Sequence, residues 1–258
     1  MSNQHIFNND EVYIEELRKS FSNFSNIQIR NLIPEENCKK IYSFIETNED
    51  DIIKKYESDK RSLVLDRING QAFIKYFDKP LDLNFSLFNI FLNSKIFNLA
   101  KFLIGEDIFL ARFELHSRCE FGTQIPPHQD NAYFGLNGAK SLTFYISLNK
   151  QFHNQGGLRY YKIPIGETKK HIASDQPGFS LTVEGSRYKN HEIFNPNYEA
   201  GDCTIHHSTS IHFADEVPKN SKRVLVVRLA FHSIKDYVKP DHKKWYEMMV
   251  QNNRNKLK

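Results

Sequence analysis

A mainly β fold, sandwich or barrel, with a helical first third is predicted by three features of the chain. From Ile108 onward, short apolar or alternating runs are punctuated by turn residues, as in two-layered β structures. Ahead of that point the apolar residues recur at helical spacing. Aromatic residues are plentiful, 21 Phe and 12 Tyr among 258 residues, and flat rings pack well on pleated surfaces. One domain over 1–258 is expected, with 1–107 as mostly helical support, 108–233 as the strand core and 234–258 as a C-terminal helix and tail.

The elements follow in order. Pro34, Glu35 and Glu36 open a helix to about Thr47, with Cys38, Ile41, Tyr42, Phe44 and Ile45 on its packed side. Ser62 to Tyr76 reads as two strands around the turn Asn69-Gly70. Phe85 to Leu103, ending before Gly105, reads as a helix laid against a sheet. Strands are expected at Ile108–Leu115, Leu142–Leu148, Leu158–Ile163, Phe179–Val183, Cys203–His207 and Val224–Phe231. His153, His171 and His191 read as loop residues, and the basic end Arg254 to Lys258 as a frayed tail.

Composition excludes several classes. The net charge of +4 is small for this length and points to neither nucleic acid nor a membrane surface. Three cysteines, Cys38, Cys119 and Cys203, have no paired spacing, so neither a disulfide framework nor a structural zinc site is implied. A reducing cytoplasm is expected, since the acidic N-terminal stretch (Asp10, Glu11, Glu15, Glu16) lacks a secretory pattern. No apolar run is read as reaching the roughly 20 residues of a membrane helix.

The chemistry is concentrated in two segments. In Pro126-Pro127-His128-Gln129-Asp130, side chains two apart on an extended chain project to one side, roughly 6 to 7 Å apart, so His128 and Asp130 can converge on a cation. A third ligand must come from elsewhere, and Gly201 to His212 offers His206, His207 and His212. Two histidines and a carboxylate on one face of an octahedral ion leave open positions that suit ferrous oxygenases. Arg223 lies past the turn-forming Pro218 to Ser221, where a guanidinium could take a dicarboxylate in a two-bonded fork.

With these residues in view, the sequence resembles the phytanoyl-CoA dioxygenase-like branch of the iron(II) and 2-oxoglutarate-dependent oxygenases. The resemblance runs from about Phe113 to Phe231 and rests on Pro126 to Asp130, Gly156 to Tyr161, Gly201-Asp202, His206-His207, His212 and Arg223, in the family's order. Ile27 to Ile45 resembles the family's N-terminal strand and helix. The resemblance implies a double-stranded β-helix, a cupin-like jelly roll, with flanking helices. It implies His128, Asp130 and His212 as the Fe(II) ligands and Arg223 as the partner of the distal carboxylate of 2-oxoglutarate. O2 is the implied oxidant, and ascorbate an expected stimulant. One histidine of the His206-His207 pair is expected to support the site by hydrogen bonds.

Strand alternation refines the neighbours. Arg223 and Arg228 are five apart and face opposite ways on a regular strand, and Arg223 is taken as the inward one, leaving Arg228 to the surface or to packing. Thr143, Tyr145 and Ser147 share a polar face, so Thr143 and Tyr145 are candidate partners of 2-oxoglutarate. His116, Asn131, Tyr133 and Arg159 are candidate substrate contacts, and Arg118, Arg159 and Arg187 are read as cations near the mouth. Lys162 to Glu167 and Ala214 depart from the family's usual turn and serine, so one cosubstrate hydrogen bond is expected to be missing or supplied elsewhere. Asp130 stands where halogenating relatives carry a small residue, which favours hydroxylation of a small molecule with release of succinate and CO2. Two other readings remain: an inactive jelly-roll module that binds or senses metal and 2-oxoglutarate, and a zinc hydrolase, which would leave Arg223 without a role.

Overall fold

The computed structural model describes residues 4–6, 11–59, 62–176 and 178–257; Met1 to Asn3, Asp10 and Lys258 lie outside them. The first third comprises β1 (Gln4–Ile6), α1 (Glu11–Phe24), β2 (Asn26–Arg30), α2 (Glu35–Tyr56), β3 (Leu63–Ile68), β4 (Gln71–Phe77), α3 (Pro80–Leu83), α4 (Phe85–Phe88) and α5 (Ser94–Ile104). There follow β5 (Ile108–Arg118), β6 (Ile125–His128), α6 (Asn131–Phe134), β7 (Ser141–Ser147), β8 (Arg159–Tyr161), β9 (His171–Gln176) and β10 (Phe179–Val183). The chain continues through β11 (Ile193–Phe194), β12 (Cys203–His207), β13 (His212–Ala214), β14 (Val224–Ser233) and α7 (His242–Lys256).

Two facing sheets make the jelly roll. The larger has eight strands in the order β1-β2-β12-β7-β14-β5-β4-β3, and the smaller four in the order β11-β8-β13-β6; β9 and β10 form a separate ribbon. Period-two alternation gives the large sheet two different faces. Leu142, Phe144 and Ile146 of β7, Leu225, Val227, Leu229 and Phe231 of β14, and Cys203 and Ile205 of β12 are buried in one cluster with α1, α2 and α5. The intervening residues, Thr143, Tyr145, Thr204, His206, Val224, Val226 and Arg228, face the barrel interior.

Local chemistry sets the turns. Asn69 and Gly70 both have positive φ (51° and 84°), the requirement of the tight hairpin joining β3 and β4. Gly201 enters β12 at φ 89°, and a Cβ there would stand 1.9 Å from the Ile33 carbonyl oxygen, so no other residue fits. The next residue, Asp202, receives bonds from Arg30, Asn31 and Glu199, tying β12 to the loop after β2.

Four expectations need correction. The segment 85–104 is long and apolar enough by composition to cross a membrane, with mean hydropathy 1.3, contrary to the sequence reading. Here it is no single helix: a 3-10 turn at Asn89–Leu92 and the Asn93 side chain, which caps α5, break it, and Phe88, Phe91, Ile96, Leu99, Ala100 and Leu103 are buried. The helix opened by Pro34 runs to Tyr56, because Ile52 continues its buried stripe. The basic end belongs to α7 as far as Lys256, held by bonds from Asn253 and Lys256 to backbone carbonyls of β9. His171 lies in β9 rather than a loop, and is buried.

Arg223 also departs from expectation. It precedes β14 and turns away from the barrel interior, forking onto Glu49 of α2 with Nη1 to Oε2 at 2.6 Å and Nη2 to Oε1 at 2.7 Å. Its Nε donates to Ser117 Oγ (2.8 Å), while Glu49 Oε1 also accepts from the Ile74 amide at 2.7 Å. One ion pair, with side chains only 13% and 10% exposed, thus joins α2, β4 and β5 to the entry of β14. Breaking such a pair strands a buried charge. Arg223→Ala and Glu49→Ala should each lower stability by about 3 kcal/mol, read by urea unfolding, with the double variant losing clearly less than the sum.

Candidate metal centre

The small sheet brings two imidazoles together. His128 ends β6 and His212 begins β13, and the two are register partners with ring centroids 4.2 Å apart. Past His128 the chain leaves the strand: Asp130 has helical φ and ψ (−56°, −33°) and precedes α6, so the extended His-x-Asp geometry read from the sequence gives way to a strand-to-helix turn. The carboxylate still returns to the histidines. Asp130 Oδ1 is 3.8 Å from His128 Nε2 and 3.7 Å from His212 Nε2, and one donor atom from each residue lies within 4.8 Å of the others.

Hydrogen bonds fix which atoms face inward. His128 Nδ1 donates to the Pro126 carbonyl (2.8 Å) and His212 Nδ1 to the Ser210 carbonyl (3.1 Å); a carbonyl only accepts, so each Nε2 carries the lone pair. Burial pushes the His128 imidazole below its ordinary range, and it holds His212, beside His128 and His206, well below it.

Asp130 Oδ2, the oxygen turned away from His128 and His212, accepts from Thr143 Oγ1 at 2.7 Å, Arg228 Nη2 at 2.8 Å and His206 Nε2 at 3.2 Å. Burial alone would raise this carboxyl, but Arg228 and the bond from His206 override it and keep it well below the usual carboxylate range. Arg228 Nη1 continues to Glu114 Oε2 at 3.0 Å, directly across the β14–β5 ladder. Glu114 is buried, which would raise it, yet Arg228 and His116 hold it at about 2.

A cavity of about 460 Å³ opens over the cluster. Tyr76, Tyr133, Phe134, Phe179 and Tyr246 form aromatic walls, with Arg112 and His116 on the β5 side and Tyr145 and Leu158 toward the barrel interior. Of the residues expected at the site, His128, Asp130, His212, His116, Tyr133 and Tyr145 line this cavity, and Thr143 reaches it through Asp130. Tyr145 exchanges a bond with Gln151 rather than meeting the histidines.

Four expectations are corrected. Asn131 bonds Leu136 and Thr168 and stabilises the turn after α6. Arg159 points outward from β8, between Asp215 and Asn195 and over the Phe213 ring, because its neighbour Tyr160 takes the inner face. Arg223 is held by Glu49, and Arg228 is the arginine that faces inward. Arg112, not Arg118, Arg159 or Arg187, is the cation near the mouth. The signal missed at Arg228 is its place inside the apolar run Val224 to Phe231, since a charge embedded there needs a buried counter-charge.

Protein-family models and curated proteins give no match to the sequence. Solved structures do share the fold. The epimerase SnoN from nogalamycin biosynthesis, described as non-heme and alpha ketoglutarate dependent, superposes with TM-score 0.67 at 15% identity, covering 90% of this chain and 87% of its own. EctD from S. alaskensis, solved with bound Fe, gives TM-score 0.68 at 13% identity over 90% of this chain and 81% of its own. The non-heme monooxygenase ThoJ, in its apo form, gives 0.62 at 12% identity over 93% and 96%. At these identities the likeness establishes the jelly-roll architecture.

Three further histidines are kept neutral by burial, each at about 4: His171, His207 and His232. Their folded values lie below the unfolded one near 6.5, so their contribution is complete above about pH 6.5 and is lost as pH falls toward 4. Each should steepen the loss by up to about 1.4 kcal/mol per pH unit in that window. Urea midpoints measured from pH 7 to pH 4 read this, and His207→Asn should flatten the decline.

Proposed function

We propose that the protein is an Fe(II)- and 2-oxoglutarate-dependent dioxygenase that hydroxylates a small organic molecule. The observation that carries this reading is the convergence of two neutral imidazole Nε2 atoms and one carboxylate oxygen in a buried cluster at the base of an open cavity. Two nitrogens and a hard oxygen suit a ferrous ion, and the chain offers no thiolate there to favour a softer one. Ferrous iron held there would activate O2 as the oxidant, with 2-oxoglutarate giving up CO2 and taking one oxygen atom into succinate while the other enters a substrate C–H bond. The resemblance in sequence motifs and the shared fold of structures described as iron- and alpha ketoglutarate-dependent support the same reading.

The chain's own residues divide the work. His128, Asp130 and His212 would hold the metal. Arg228, Thr143 and His206 keep Asp130 ionised and turned so that Oδ1 faces the cluster. The aromatic walls would take the substrate's apolar surface. Arg223 is committed to Glu49, so another group must meet the distal carboxylate of 2-oxoglutarate. Arg118, just beyond the cavity lining and beside Tyr145, is the candidate: it lies on the same face of β5 as Glu114 and His116, donates to the carbonyls of Thr123 and Asp215, and has a buried Nε without a partner among the described residues. Tyr145, on the cavity's inner side, is the second candidate contact. Asp130 would serve as a ligand where halogenating relatives carry a small residue, which favours hydroxylation.

Four measurements test the proposal. Anaerobic protein supplied with Fe(II) and 2-oxoglutarate should develop a visible charge-transfer band, and aerobic protein should release succinate; absence of both from the folded, iron-loaded protein refutes it. Arg228→Gln should weaken Co(II) binding, followed by absorption, by about 10- to 100-fold. Arg118→Gln should weaken 2-oxoglutarate binding by calorimetry at least tenfold, whereas Arg223→Lys should leave the affinity of the folded fraction unchanged.

A further inference from the structure

A second cavity, of about 450 Å³, lies behind α6. That helix turns Tyr133 and Phe134 toward the metal cluster and Asn131 and Ala132 toward this other space. The wall opposite comes from the start of α7, where the His242 and Trp245 rings lie 5.6 Å apart, with Pro240 beside them. Close approach of α7 depends on Gly135: its φ is 68°, and a Cβ there would stand 2.1 Å from His242 Cγ. The cavity is therefore a formed slot between two elements, lined mainly by apolar and ring surface.

Its rim is positive. Lys169, Lys170 and Lys239 border it, and Lys170 is paired with Glu184. Among the described residues, Lys169 and Lys239 have no side-chain partner, and Asp241 offsets only one of the two charges. Half-buried ring surface beside ammonium groups without a side-chain partner selects a ligand with a flat apolar body and an acidic group.

We propose that this second cavity binds a small aromatic or similarly flat organic anion, with its ring against Trp245 and His242 and its acidic group toward Lys169 and Lys239. The site is separate from the cluster yet bonded to the turn that carries Asp130. His171 Nε2 accepts from the Gln129 amide (3.1 Å), Asn131 Nδ2 donates to Thr168 Oγ1 (2.7 Å), and His242 Nε2 donates to the Ala132 carbonyl (2.9 Å). An occupant would touch residues flanking Asp130 without touching the cluster. The binding itself does not depend on the oxygenase reading.

Trp245 is the only tryptophan in the chain, so its emission reports on this cavity. The probe is 4-iodobenzoate, whose heavy atom quenches a ring it contacts, with 4-iodobenzamide as the neutral counterpart. Quenching by the benzoate should saturate, and the amide should bind about tenfold more weakly. Lys169→Gln and Lys239→Gln should each weaken the benzoate about three- to fivefold, as expected for losing one exposed charge pair. Arg112→Gln, altered in the metal cavity, should leave the titration unchanged. Quenching that rises linearly without saturation, equal affinity for the amide, or loss of binding in Arg112→Gln but in neither lysine variant would overturn the proposal.

Discussion

The site depends on one buried carboxylate being kept charged. Asp130 lies where burial alone would favour its protonated form, and a protonated acid would be a poor partner for a cation. Arg228 reverses that preference, with its side chain only 19% exposed and bonded to both Asp130 and Glu114. Two acids and one arginine form a chain of charge-assisted bonds that would be unstable with any member removed. The strand register makes the chain possible, since Arg228 lies opposite Glu114 on one side and Tyr145 on the other. Thr143, two residues before Tyr145, is then placed to complete the contacts of Oδ2.

The same alternation that places Arg228 inside also supplies the core. Each of β7, β12 and β14 gives every second residue to the helices and the others to the barrel interior. An apolar outer face and a polar inner face are two readings of one sequence pattern. This is why α1, α2 and α5 matter to a site whose cavity they do not line. They cover the apolar face, and the Arg223–Glu49 fork fixes α2 against the strands on that side.

Much of this was legible in the sequence wherever local periodicity decides structure. The hairpin at Asn69-Gly70, the strands around Thr143 and Val224, and the polar face of β7 follow from turn chemistry and alternation alone. What was not legible depends on which groups meet across the fold. The odd spacing of Arg223 and Arg228 was correctly read as opposite faces, but nothing local says which face meets Glu49, 174 positions away. Arg159 was misplaced for the same reason: its partner Asp215 comes from a different segment. His171 was missed because the polar stretch Lys169-Lys170-His171 hides a strand whose burial is imposed by α7 and β10.

His128 and Asp130, only two residues apart, owe their positions to different supports. His128 is fixed by the β6–β13 ladder and by its bond to Pro126. Asp130 stands at the head of α6, a helix of four residues that cannot hold itself rigid by its own hydrogen bonds. Its rigidity is borrowed: the Asn131 side chain pins Leu136, Gln129 is anchored to Thr209 and Lys169, and His242 reaches in from α7. Most of these supports belong to loops or to the C-terminal helix rather than to the sheets. The carboxylate itself is held from the large sheet, by Thr143 of β7, His206 of β12 and Arg228 of β14, so its distance to the two imidazoles is set jointly by those strands and by the packing of α7 against α6.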